Sequence, residues 1–403
     1  MNEVRALVEA FDAATRGGER CALATVVSVE GSSYRRPGAR MLVCEGGGST
    51  GTVSAGCLES DVVERAKRVI LTGEAVLVEY DTASTGEEMA WGLGLGCNGV
   101  VRVLVEPLAP GSLYVEALRR SCEAQGDAAP VQVATVYQRT PSSSPPAPTR
   151  TLDAARLLNG VGGDARVEKL SAPVSAALEL ELLKLAHGRL PPGTCFYEAG
   201  GGDVKVFVET LLPPVPLVVF GAGHDALPVV ELARGLGWQT EVVDPQARAA
   251  SLSRFAAADR VTLARPEDVG ARVSITPRTL TLLMSHNYSH DLELLKFLLA
   301  SPARYVGVMG PRKRTERMLS ELAAGDEAFR LGDEDRERLY SPAGLDIGAN
   351  SPAEVALSII AEMRAVLNGR RGRMLRERRG SIHGRPSDGE GVPLTDELDR
   401  PAA

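Results

Sequence analysis

The chain has 403 residues, a formal net charge of -7, 44% hydrophobic and 24% charged residues, which is an ordinary globular composition for two or three domains. The acidic balance argues against a general nucleic-acid binder, and 4% aromatic residues leave few stacking platforms for single strands. Six cysteines, at positions 21, 44, 57, 97, 122 and 195, form no C-x-x-C pair, which argues against a structural zinc site and, at this length, against a disulfide framework.

The opening stretch "MNEVRALVEAFDAATRGGER" is amphipathic and carries acids. It lacks the apolar core of a signal peptide, and no stretch reaches membrane-spanning length, so no membrane association and a cytoplasmic location are expected. After this helix come a strand at "LATVVSVE", the turn-rich "GSSYRRPGA" and a short strand at "RMLVC". In "GTVSAGCLES", Cys57 stands behind a Ser-Ala-Gly turn, and Leu58, Val62, Ala66, Val69 and Ile70 then recur at helical spacing. The thiol is therefore expected at a helix entrance, where amides and dipole favour anions and thiolates. Taken alone, Cys57 reads as a small core residue or as a poised soft ligand or nucleophile.

"AVLVEY", the glycine-rich "WGLGLGCNG" with Cys97, and the strand "GVVRVLVEP" complete a small α/β or α+β domain over residues 1–108. Two thiolates in glycine-rich loops suit a soft metal or a sulfur-bearing ligand, while on this pattern alone two unrelated small buried residues are the better reading. Residues 109–212 hold the Pro/Ser-rich "TPSSSPPAPT", strands at "VQVATVYQ" and "VKVFVETLL", and a helix near "SAALELELLKLA". This reads as a middle segment packed on, or connecting, its neighbours.

From Pro213, strands alternate with helices, which predicts a doubly wound parallel sheet over residues 213–385, followed by a disordered tail over 386–403. In "GAGHDA", Gly221 and Gly223 follow a strand and open a helix, Ala226 takes the third-glycine position, and Asp244 lies 23 residues past Gly221. These residues fit a dinucleotide pyrophosphate and ribose, and fit equally a Rossmann turn kept for packing. In "SHNYSHD", His286 and His290 follow the strand "TLTLLM". With His224 they bring three of the five histidines to the carboxyl edge of the sheet, either as a functional cluster or as solvated loop residues beside an N-cap aspartate, Asp291. "SPAEVALSIIAEMRAVL" carries Ser351 as N-cap, Pro352 at the first position and Glu354 completing a capping box. The basic run Arg370 to Arg379 reads as a solvated tail. The fold class is thus α/β: a C-terminal doubly wound parallel Rossmann-like sheet with a smaller N-terminal domain.

"GSSYRRPGARMLV", "GTVSAGCLE", "GLGCNGVVRVLVEP", "LVVFGAGHDALPVVELARGLGWQTEVVDPQ", "YVGVMGPRKR" and "GLDIGANSPAEVALSIIAEM" together resemble the XdhC/CoxI family, accessory proteins of xanthine dehydrogenase and carbon monoxide dehydrogenase type molybdenum hydroxylases. The resemblance implies a molybdenum-cofactor-binding chaperone that assists sulfuration and insertion of the cofactor, rather than a metabolic enzyme. It implies an apo molybdenum hydroxylase and a cysteine desulfurase as partners, and a homodimer.

Carried onto this sequence, the resemblance makes Cys57 the first ligand for molybdenum, with Ser54 and Gly56 shaping its turn, and Cys97 the second. Turn amides would hold the cofactor phosphate, and Arg35, Arg36 and Arg40 would be anion contacts. Two departures stand out: Ala55-Gly56 where family members often carry Gly-Gly, and "SHNYSHD" in place of the family's own loop. The family supplies no ligand for the Rossmann domain, so NAD(P) or another nucleotide there rests on Gly221, Gly223 and Asp244. The rival readings are an NAD(P)-dependent oxidoreductase and a scaffold that binds the hydroxylase without cofactor.

Overall fold

The computed structural model describes residues 2–31, 33–54, 56–81, 99–124, 128–141, 155–159, 166–169, 193–199, 202–246, 248–325 and 330–377. The chain divides into two units, residues 1–214 and 215–403. Cys97, the helix expected near "SAALELELLKLA", most of "TPSSSPPAPT" and the tail lie outside the described residues.

In the first unit, α1 (Asn2–Arg16) leads into β1 (Cys21–Gly31), β2 (Arg40–Cys44), β3 (Ser49–Gly51), α2 (Glu59–Thr72), β4 (Val76–Asp81) and β5 (Gly99–Leu108). The strands form an antiparallel sheet in the order β3-β2-β1-β5-β4. Successive side chains of a strand point to opposite faces, and β1 uses both. Ala22, Ala24 and Val26 face α2 through Val62, Ala66, Val69 and Ile70, while Cys21 and Leu23 join Leu7, Val8 and Phe11 of α1. That double burial explains why β1 reads as a nearly unbroken apolar run.

The middle of the chain is not a simple linker. It supplies α3 (Leu113–Glu123) and β6 (Val131–Pro141), β7 (Ala155–Asn159), β8 (Arg166–Lys169), β9 (Gly193–Ala199) and β10 (Gly202–Leu211). These strands make a second antiparallel sheet, β8-β7-β6-β10-β9. Val131, Val133 and Leu211 share a core with α1, α3 and the first sheet. Tyr137 and Phe207 pack with Val27 and Leu104. The two sheets of this unit therefore bury a common apolar interior.

The second unit holds β11 (Pro216–Phe220), α4 (Ala226–Gly235), β12 (Gln239–Asp244), α5 (Ala250–Arg254), β13 (Arg260–Leu263), α6 (Val269–Arg272) and β14 (Leu280–Leu283). It continues with α7 (Tyr288–Ala300), β15 (Tyr305–Val308), α8 (Arg312–Gly325), α9 (Asp333–Arg338), β16 (Leu339–Tyr340) and α10 (Pro352–Leu367). The sheet is parallel throughout, in the order β13-β12-β11-β14-β15-β16. Counted within the unit this is 3-2-1-4-5-6, the Rossmann order, whose direction reverses between β11 and β14.

Leu217 and Val219 of β11 face α4 and α10, whereas Val218 and Phe220 face α7 and α8. The capping box of α10 forms as the sequence predicts: Ser351 Oγ accepts from Glu354 N–H at 3.3 Å, and the Glu354 carboxylate accepts from Ser351 N–H at 2.8 Å. Among the described residues, no helix is long and apolar enough to cross a membrane.

Candidate functional site

The Cys57 turn is built from below by a carboxylate. Glu59, the first residue of α2, accepts from Ser54 N–H at 2.8 Å, from Leu58 N–H at 3.2 Å and from the hydroxyls of Thr52 and Ser54. Partial burial pushes this carboxyl up, but the hydroxyl and amide donors outweigh it and hold the carboxyl down at about 2. Ser54 Oγ in turn accepts from Cys57 N–H at 3.1 Å and Leu58 N–H at 3.0 Å. Gly56 has φ +104° with no atom within 4 Å of where a Cβ would be, so glycine is needed there for its backbone conformation and not for space.

Above this network Cys57 is an exposed free cysteine, two residues before α2. The core reading of Cys57 is thereby excluded. The expectation that turn amides hold a phosphate is also corrected in part, because the amides of Cys57 and Leu58 already bond Ser54.

The three arginines differ in their surroundings. Arg40 does not face solvent as an anion contact. Its Nε donates to Tyr114 OH at 2.6 Å, its Nη1 to Gly38 O at 2.8 Å, and its Nη2 to Glu209. Arg35 forms a two-pronged pair with Glu3, at 3.0 and 2.6 Å, and also feels the Glu59 charge, which places it in electrostatic range of the Cys57 turn. Arg36 is exposed.

In the Rossmann unit, the turn after β11 and the loop after β14 meet where the strand order reverses. Gly221 has φ +136°, and a Cβ on it would lie 2.4 Å from Met284 O. The first glycine of "GAGHDA" is thus required by the neighbouring strand end, whatever binds nearby. A Cβ on Gly223 would lie 2.4 Å from Asp225 Oδ1. His224 is exposed and Ala226 is buried in the core. Asp225 stands at the N-cap of α4 without capping it through its side chain. Instead its Oδ2 lies 2.6 Å from His286 Nε2.

His286 has φ +58°, the one non-glycine residue with positive φ among those described. His290 lies in the first turn of α7, with a buried Nδ1 that has no hydrogen-bond partner. His286 and His290 therefore do not share a helix face. Among the described residues, no group of three or more His, Cys, Asp or Glu could hold a metal. The N-cap of α7 is Asn287, whose side chain accepts from His290 N–H at 3.1 Å. Asp291 is instead buried, accepting from Ser285 Oγ and, at 2.6 Å, from Arg314.

Asp244, expected at a ribose, is fully buried. Its Oδ1 accepts from Gln246 N–H at 2.9 Å, and its Oδ2 from Arg248 N–H and Nε–H, both at 3.1 Å, and from Ser251 Oγ at 2.6 Å. Arg254 donates to Ala222 O at 2.7 Å, laying a side chain across the glycine turn. A carboxylate at the helix N-terminus and a closed acid at the end of β12 both disfavour a dinucleotide bound in the usual way.

A match to the XdhC Rossmann domain spans residues 217–363, and one to the XdhC and CoxI family spans residues 14–81. A Bacillus subtilis (strain 168) protein, described as a probable subunit of xanthine dehydrogenase, is 31% identical over 360 residues, covering 88% of this chain and 95% of that protein. The chain belongs to the XdhC and CoxI family. Another relative, the molybdenum cofactor insertion chaperone PaoD of Escherichia coli (strain K12), is 21% identical over 88% of this chain and 85% of its own. The crystal structure of a xanthine dehydrogenase from Bacillus halodurans is similar with a TM-score of 0.65 and 28% identity, covering 90% of this chain and 96% of that one.

Family motifs drew attention to the Cys57 turn but not to what supports it. Thr52 and Glu59 lie within the motif itself, and their role shows only once the turn folds back over the helix start. Asp225 sits inside "GAGHDA" itself, at an unrestricted position of the fingerprint, where an acid at the helix entrance was the available signal.

Proposed function

We propose that this XdhC-family chain is a molybdenum cofactor chaperone, which carries the cofactor as cargo and helps its sulfurated form enter a xanthine dehydrogenase or carbon monoxide dehydrogenase type hydroxylase. Its partners are the apo-hydroxylase and a cysteine desulfurase, and it works in the cytoplasm as a homodimer. The observation that carries the reading is Cys57: an exposed thiol, fixed at a helix entrance by the Ser54–Glu59 network. A dithiolene-bound molybdenum is a soft centre, and a thiolate is a matching ligand. Preorganising the turn spares the ordering cost that a mobile loop would incur on binding.

In this reading Cys57 binds the metal end of the cargo, Arg35 and Arg36 meet its anionic end, and Ser54, Gly56 and Glu59 hold the turn in place. Cys97 remains a second ligand candidate on the sequence pattern. Within the Rossmann unit, His224, His286 and His290 at the carboxyl edge of its sheet are that unit's own candidate contacts, with Gly221 and Gly223 shaping the turn.

The experiment is transfer. Apo-hydroxylase is incubated with free cofactor, with and without this protein, and hydroxylase activity is followed. Acceleration by the wild type but not by Cys57→Ala supports the reading; equal rates with and without the protein contradict it. The rival, an NAD(P)-dependent oxidoreductase, has the Rossmann strand order in its favour. It loses ground because Asp244 is closed and Asp225 puts negative charge where a pyrophosphate would sit.

A further inference from the structure

Cys21 and Cys44 stand opposite one another on the antiparallel neighbours β1 and β2, with their Sγ atoms 3.0 Å apart. Glu45 N–H donates to Arg20 O, whereas Cys44 N–H turns away to Gly48 O. Cys21–Cys44 is therefore a non-hydrogen-bonded pair, the register in which opposite Cα atoms approach to about 4.5 Å. That spacing falls within the range a disulfide spans. Both thiols are buried, at 3% and 9% exposure, and the cofactor reading uses neither.

The pair sits at the end of the strands. An exposed turn precedes Cys21, and the glycine-rich turn Glu45–Gly48 follows Cys44. Across this end lie the backbone bond from Glu45 N–H to Arg20 O, a bond from Gly46 N–H to Glu19 Oε2 at 3.2 Å, and the exposed ion pair Arg20–Glu45 at 2.6 Å. The ion pair contributes at most about 1 kcal/mol and each hydrogen bond about 1 kcal/mol, so local opening that admits a small reagent costs only a few kcal/mol here.

We propose that Cys21 and Cys44 form a reversible dithiol–disulfide couple that fastens the β2–β3 hairpin, with a low-molecular-weight disulfide as the oxidant. On opening, the Cys44 thiolate attacks one sulfur of the oxidant. One small thiol leaves, and a mixed disulfide remains on Cys44. The Cys21 thiolate then attacks Cys44 Sγ and expels the second small thiol. The two protein thiol protons end on the two released thiols, and two electrons pass from the protein pair to the oxidant. Burial and the hydrogen bond to Cys44 push the closed Cys21 thiol up to about 12, so reaction follows opening of the strand end. The hairpin leads through β3 into Thr52 and Ser54, so closing the bond steadies the strand pair that delivers the Cys57 turn.

The test uses the intact folded protein in buffers of graded oxidised to reduced glutathione. Samples are quenched with acid, alkylated and mapped by mass spectrometry, and amide hydrogen exchange is measured in parallel. The expected result is a Cys21–Cys44 linked peptide that rises with the oxidised fraction and is reversed by dithiothreitol. Severalfold slower exchange at residues 44–54 accompanies it, and both effects are absent in Cys44→Ala. The proposal is overturned if Cys21 and Cys44 stay alkylatable across the series, if oxidation links Cys57 or Cys122 instead, or if exchange slows equally in Cys44→Ala.

Discussion

Arg40 of β2 and Glu209 of β10 form an ion pair between the two sheets of the first unit, each with 10% side-chain exposure. Tyr114 of α3 closes the triad, accepting from Arg40 Nε and donating to Glu209 Oε1, both at 2.6 Å. Every charge in the group has a partner, and this lets a buried pair persist beside an apolar core. An arginine inside a family motif thus holds the architecture together instead of meeting ligand.

Removing one partner strands the other. Arg40→Met is expected to destabilise the first unit by about 3–5 kcal/mol, read as a lowered calorimetric transition. The double variant Arg40→Met/Glu209→Leu should cost less than either single change, because no uncompensated charge remains. Additive losses would show that the pair is not coupled.

Glu59 gives the Cys57 turn a pH dependence. Its folded carboxyl is held at about 2, below the ordinary value of 4.5. A lowered folded value means stability that is fully present above the unfolded value and lost as pH falls through the folded one. The turn should therefore loosen between about pH 5 and pH 2, seen as faster hydrogen exchange at Cys57 and Leu58. Glu59→Gln should show fast exchange already at pH 7 and a flatter profile below it.

The closed Asp244 predicts that neither NAD nor NADP shifts the melting temperature at millimolar concentration. Asp244→Asn should cost about 1.5–3 kcal/mol through weakened charge-assisted hydrogen bonds, with no change in nucleotide response. A saturable shift with wild type that vanishes in Asp244→Asn would restore the ribose role.

His286 carries a left-handed backbone conformation that costs a non-glycine residue about 1–2 kcal/mol. His286→Gly should therefore be more stable than His286→Ala by about 1 kcal/mol in chemical denaturation. If both glycine and alanine variants lose cofactor transfer while the glycine variant stays folded, the imidazole itself is needed; full transfer by both removes it from the site.

Much of the fold was legible in the sequence because local signals agreed with the tertiary outcome. The period-2 and period-3.6 patterns placed β2, β13 and α10 closely, and Ser351, Pro352 and Glu354 act as their spacing says. The second sheet was harder to read: β6 and β10 showed as strands, but they pair across a long separation that no local motif announces, and β7 and β8 beside them are short. Site residues divided along similar lines. Cys57 was visible from its turn, whereas the internal roles of Arg40 and Asp244 depend on Glu209 and Ser251, which only folding brings to them.

The most direct measurement is the molybdenum and pterin content of the purified protein after incubation with free cofactor, for wild type, Cys57→Ala and Cys97→Ala. A carrier that holds its cargo through Cys57 should retain near-stoichiometric molybdenum and pterin as wild type. Cys57→Ala should lose at least tenfold, roughly the 1.4 kcal/mol or more expected for a lost ligand. Equal retention by wild type and Cys57→Ala, or none by wild type, would rule that role out.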